Sequence, residues 1–125
     1  KINIDSFDCH VLETVLGAGY TPLVIVAEVQ ENIPPPLKFA RFFQGYDLWE
    51  CGSMMNRGWY SLQMPPVFRS CSISYANELL SGYGYVLMGM TNDTSGIWLL
   101  EDIYNEHLST SPLFHESLWY RHRLS

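Results

Sequence analysis

The sequence predicts an α/β fold: a parallel sheet with a final antiparallel strand, and helices packed on it. Three observations carry that expectation. The first thirty residues read strand, helix, strand, and a crossover of that kind joins parallel strands with right-handed connection. Residues 23–29, Leu-Val-Ile-Val-Ala-Glu-Val, are almost continuously apolar, the pattern of a parallel strand buried on both faces. Residues 85–90 and 97–100 are two further apolar runs, separated by a turn rich in Asn, Asp, Ser and Gly. So short a turn makes the second run the antiparallel partner of the first.

Taken in order, residues 1–5 alternate as a short strand. Asp5 or Ser6 can cap the helix that follows, and Asp8 suits the positive end of its dipole. Val11, Leu12, Val15 and Leu16 form an apolar stripe at helical spacing, and Gly17 and Gly19 end it. These glycines close a helix and precede a strand, the reverse of a phosphate-binding loop. Residues 72–81 form the next helix, with Ile73, Ala76, Leu79 and Leu80 on one face and Gly82 and Gly84 at its end. Residues 101–107 read as a helical turn. Residues 112–124 read as a second short helix anchored by Leu113, Leu118, Trp119 and Leu124.

Residues 30–70 break the rhythm. They hold five of the seven prolines, eight of the eighteen aromatics and a charge of +1, against −7 for the rest of the chain. Aromatic content argues against disorder, and long irregular segments in compact domains are usually functional. The segment reads as an ordered lid or binding insertion, with a short helix near 37–43. Its cations, Lys38, Arg41, Arg57 and Arg69, are interleaved with aromatics that either cover the sheet or bind a ligand.

The whole chain has 125 residues, 47% apolar, with 7 basic and 13 acidic side chains and a net charge of −6. A chain of this size can bury a core, and its acidity disfavours nucleic acid, whose phosphates need a basic face. No apolar run approaches the roughly 20 residues needed to span a bilayer. The three cysteines, Cys9, Cys51 and Cys71, form no CxxC pair, which disfavours structural zinc. Free thiols in a reducing compartment, and hence a cytoplasmic location, are the favoured expectation; one disulfide with a spare thiol is the alternative.

Asp5, Asp8 and His10 cluster where the first strand hands over to its helix. In open α/β sheets ligands bind at the carboxyl ends of strands. There a carboxylate can hold a cofactor, act as a base or bind a metal, or simply cap the helix. Glu28 interrupts the apolar second strand near its carboxyl end, and Gln30 and Asn32 follow on the same rim. No GxSxG, HExxH or P-loop pattern is present, so serine hydrolase, zincin and NTPase chemistry lack support.

Residues 1–13, Lys-Ile-Asn-Ile-Asp-Ser-Phe-Asp-Cys-His-Val-Leu-Glu, resemble the signature that follows strand four in FkbM-like methyltransferases. Residues 23–36, LVIVAEVQENIPPP, are similar to that family's next strand and its proline-rich turn. Residues 71–80 and the following Gly82-Tyr83-Gly84-Tyr85 resemble the helix before its last two strands. The resemblance covers residues 1–104, with 105–125 as a helical tail, and Phe7 stands where the family usually has Gly.

This resemblance implies part of a Rossmann-like methyltransferase fold, strands four to seven, using S-adenosylmethionine to methylate a hydroxyl oxygen of a small molecule or glycan. It implies Asp5 as cofactor contact or base, Ser6 and Asp8 beside the cofactor, and Glu28 as a second catalytic candidate. His10, Gln30, Asn32 and Lys38 would bind the acceptor. The glycine loop of such folds would precede Lys1. Strand 1–5 is then expected to pair with a preceding segment or a partner chain, and the isolated chain to be inactive. Two rivals remain: a non-catalytic binding module that uses the aromatic 30–70 segment, and a metal-assisted enzyme using Asp5, Asp8 and His10.

Overall fold

The computed structural model describes residues 1–4, 7–41 and 70–119. Asp5 and Ser6, most of the expected lid (42–69) and residues 120–125 lie outside them.

Among the described residues the order is helix α1 (Asp8–Gly17), strand β1 (Val24–Glu28), helix α2 (Ile73–Gly82), strands β2 (Tyr85–Met90) and β3 (Ser95–Leu100), and helix α3 (Glu101–His107). A 3-10 turn, Glu116–Leu118, follows. Local chemistry explains most boundaries. Ser72 caps α2 by accepting the Tyr75 N–H at 3.2 Å. Gly19 and Gly84 take φ of +89° and +83° just beyond α1 and α2, a conformation that side chains with a Cβ resist.

The predicted parallel sheet does not form. The sheet has three strands in the order β1-β3-β2, and both pairings are antiparallel. This overturns the partial Rossmann-like fold, strands four to seven, as the description of the chain. The reason is the β2–β3 hairpin. Its short turn folds β3 back onto β2, as the turn chemistry implied, and β3 then offers its other edge to β1, pairing Val24 with Leu99 through Glu28 with Ser95. β1 and β2 run the same way but are separated by β3. Residues 1–4 add one parallel bridge, Ile2 to Ala27, with the Ile2 N–H donating to the Val26 carbonyl at 2.8 Å.

The apolar run in β1 is not buried on both faces. Its burial alternates, with Ile25 and Ala27 in the core and Val24 exposed. The buried stripe of α1 is likewise rotated from the expected one. Cys9, Leu12 and Leu16 face the core, while Val11 and Val15 stand at its margin with 36% of their surface exposed. Both helices put their buried residues into one cluster with Ile25, Ala27, Val29, Tyr85, Leu87 and Trp98.

Three smaller expectations are corrected. Residues 37–41 are not helical; Leu37 closes a turn on the Pro34 carbonyl and Ala40 bridges Cys71. Among the described residues of the tail, 112–115 are not helical and a 3-10 turn occupies 116–118; Trp119 anchors it as expected, with Phe114 in place of the exposed Leu113. Cys9 and Cys71 are joined in a disulfide, so the two are not free thiols.

The tail closes the outer edge of β2: the Phe114 N–H donates to the Leu87 carbonyl at 3.1 Å, beside a bulge between Leu87 and Gly89. Glu116 fastens it to α2, accepting from Ser74 Oγ at 2.6 Å and Asn77 Nδ2 at 3.0 Å. The other oxygen-bearing end of the Asn77 amide accepts the Trp98 indole N–H at 3.2 Å. No helix among the described residues is long and apolar enough to cross a membrane.

Candidate functional site

The candidate site is the rim at the carboxyl end of β1. Three backbone bonds lay the chain across it. The Glu28 N–H donates to Ile2 at 3.2 Å, the Val29 N–H to Thr94 at 3.1 Å, and the Gln30 N–H to Cys71 at 2.7 Å. Ser70 Oγ adds a bond to the Glu28 carbonyl at 3.0 Å. The rim is therefore held by residues 1–4, by the β2–β3 turn and by residues 70–72.

Two residues at the rim carry positive φ without being glycine: Ser70 at 57° and Thr94 at 65°. Such conformations cost energy and gather at sites where the surroundings impose them. The Thr94 conformation belongs to its hairpin, in which the Thr94 N–H donates to the Thr91 carbonyl and the Thr91 N–H to Ser95. In the same turn the Thr91 hydroxyl bonds the Asp93 carboxylate, and that bond, with Lys1 nearby, holds the carboxyl below its ordinary value.

The expected site residues divide into three groups. Glu28 ends β1 and Gln30 and Asn32 follow it on the rim, where the bonded pair is Gln30 with Asn32. Gln30 is buried, at 7% exposure, and its Oε1 accepts both the Asn32 N–H and Asn32 Nδ2 at 3.2 Å. Glu28 is half-buried and Asn32 exposed. Asp8, Lys38 and His10 are placed elsewhere. Asp8 has no exposed surface, and its Oδ1 accepts the Ile4 N–H at 3.0 Å. Its carboxylate thus fixes the turn into α1, while Phe7, with no side-chain cap, is the N-cap residue. Lys38 is paired at the surface with Glu78 of α2 at 2.9 Å. His10 is half-buried on α1. Asp5 and Ser6 lie outside the described residues, as does the aromatic 42–69 segment on which the binding-module reading rests.

Three features of the rim were not assigned to a site from the sequence. The Arg41 guanidinium lies 5.1 Å from the centroid of the Phe7 ring, joining the entrance of the 42–69 segment to the start of α1. Ser70 takes its positive φ with no composition signal to announce it. The disulfide ties Cys9 of α1 to Cys71, and only the odd cysteine count hinted at it.

The cavity between α1 and the sheet edge is a different place. It is about 100 Å³ and is lined by Lys1 and otherwise by apolar residues, Leu12, Leu16, Val24 and Val26 among them. That is well under the roughly 300 Å³ of a small-ligand pocket, and it brings no convergent polar groups. Among the described residues no three His, Cys, Asp or Glu side chains are placed to hold a metal ion.

No family model matches the chain, and no curated protein and no solved structure matches it either.

Proposed function

We propose that this chain supplies the acceptor-side wall of a methyl-transfer site, where a methyl group of S-adenosylmethionine passes to a hydroxyl oxygen of a small molecule or sugar. The observation that supports this is the placing of Glu28 at the carboxyl end of β1, followed by the bonded pair Gln30 and Asn32. Through the Glu28–Ile2 bond this rim adjoins residues 1–4, which begin the 1–13 signature.

The described donor set suits an acceptor better than a cofactor. Asp8 is consumed by the Ile4 N–H and sealed from solvent, so it is withdrawn from cofactor contact. Of the three expected cofactor contacts, this leaves Asp5 and Ser6. When bound, the cofactor supplies an electrophilic methyl group. The chain's own part is positioning and proton removal. Glu28 takes the proton of the acceptor hydroxyl as its oxygen becomes nucleophilic, and the exposed Asn32 amide, held by Gln30 Oε1, orients a neighbouring hydroxyl.

Methyl transfer from labelled S-adenosylmethionine to a panel of sugars and hydroxylated small molecules, using the full natural protein, tests the reading. Glu28→Gln is expected to lower kcat by about 10²–10⁴-fold with cofactor affinity unchanged. Full activity in that variant removes Glu28 from the chemistry. Absence of any cofactor binding by the natural protein removes methyl transfer itself.

A further inference from the structure

We infer that Cys9–Cys71 is a permanent clamp on the base of the 42–69 excursion, and that the chain completes its folding in an oxidising compartment. The cross-link spans 62 residues and stands where four structures meet. Cys9 is the second residue of α1. Cys71 accepts the Gln30 N–H of the rim and bridges Ala40, and its neighbour Ser72 caps α2. Arg41 and Ser70, the residues that flank the excursion, are joined by the Arg41 N–H donating to the Ser70 carbonyl at 3.1 Å. The Ser72 N–H donates to Phe39 at 2.8 Å, and Ser72 Oγ accepts the Phe39 N–H at 2.9 Å. One covalent bond therefore fixes the base of the excursion, the rim and the start of α2 to α1.

Burial distinguishes a clamp from a switch. Cys9 and Cys71 are exposed by only 1% and 0%. Disulfides that serve as switches are strained or accessible, because exchange needs a thiolate to reach a sulfur. Here the folded core excludes it, so the bond forms before the core closes. Two thiols lose two protons and two electrons as the sulfur–sulfur bond forms. The electron acceptor is an exchangeable disulfide of the folding compartment, which is itself reduced to two thiols. In a reducing cytosol that exchange runs the other way, and buried cysteines remain as small apolar thiols.

The test uses the full natural protein from its native source, unfolded in guanidinium with a maleimide and no reductant, followed by intact mass and peptide mapping. The expected result leaves Cys9 and Cys71 unlabelled and in one cross-linked peptide, with label on both after reduction. Label on either residue without reduction, or a cross-link of either to Cys51, overturns the inference. Hydrogen exchange tests the clamp separately. Reduction is expected to speed exchange of the Arg41 and Ser72 amides at least tenfold, ahead of the β2–β3 ladder, and to lower Tm by on the order of 10 °C. Unchanged exchange at those amides removes the clamping role.

Discussion

Trp98 has no exposed surface, and the room its ring needs is left by Gly96, two residues earlier on the same strand. A Cβ at Gly96 would overlap the ring. Gly96→Ala is therefore expected to destabilise the fold by about 1–3 kcal/mol, the range for overpacking, while Gly89→Ala, which meets no neighbour, costs less. Chemical denaturation of the two variants separates the outcomes. Tyr85 is buried in the same core, and its hydroxyl donates to the Pro22 carbonyl at 2.7 Å. Burial pushes its pKa above the ordinary tyrosine value. Since the folded value is the higher one, the stabilisation is complete below about pH 10 and is lost as pH rises through the folded value. Tyr85→Phe should cost about 1 kcal/mol at neutral pH and flatten this alkaline loss. Some loss remains in that variant, because burial, with Glu13 and Glu78 nearby, raises Tyr75 as well.

Among the elements, the C-terminal tail depends on one carboxylate. Glu116→Ala leaves Ser74 and Asn77 of α2 without their acceptor and is expected to cost about 1–3 kcal/mol, with Trp119 fluorescence shifting toward that of an exposed indole. Neither the tail's docking nor the order of the strands was legible in the sequence, and the cause is the same. Both are set by partners distant along the chain, Glu116 with Ser74 and Val24 with Leu99. Locally determined features read well: Gly84 as a stop, and the β2–β3 hairpin, although Ser95 and Gly96, read as part of its turn, belong to β3. The helix at 8–17 was legible but its face was not. Cys9 enters the core through a disulfide and turns the buried stripe away from Val11 and Val15. The chain-entropy picture gives that cross-link about 4 kcal/mol for a loop of this length.

At the scale of the whole molecule, the described residues treat the two edges of the sheet differently. Phe114 covers the β2 edge, while residues 1–4 meet β1 through a single bridge at Ile2. The rim lies between those residues and the β2–β3 turn. The strand end at Glu28 was legible because polar residues interrupt the apolar run there, but the rule that ligands sit at the carboxyl ends of parallel strands does not carry over to this antiparallel sheet. The inward role of Asp8 was not legible, since a carboxylate before a helix has the same sequence pattern whether it faces a ligand or the backbone. The most direct measurement is amide chemical-shift mapping of the full natural protein as S-adenosylhomocysteine and then a hydroxylated acceptor are added. The methyl-transfer reading predicts saturable shifts at residues 28–32 on adding the acceptor, together with shifts at residues 4–8 on adding the cofactor product. Shifts confined to the cavity beside α1, or none at either stretch, would contradict it.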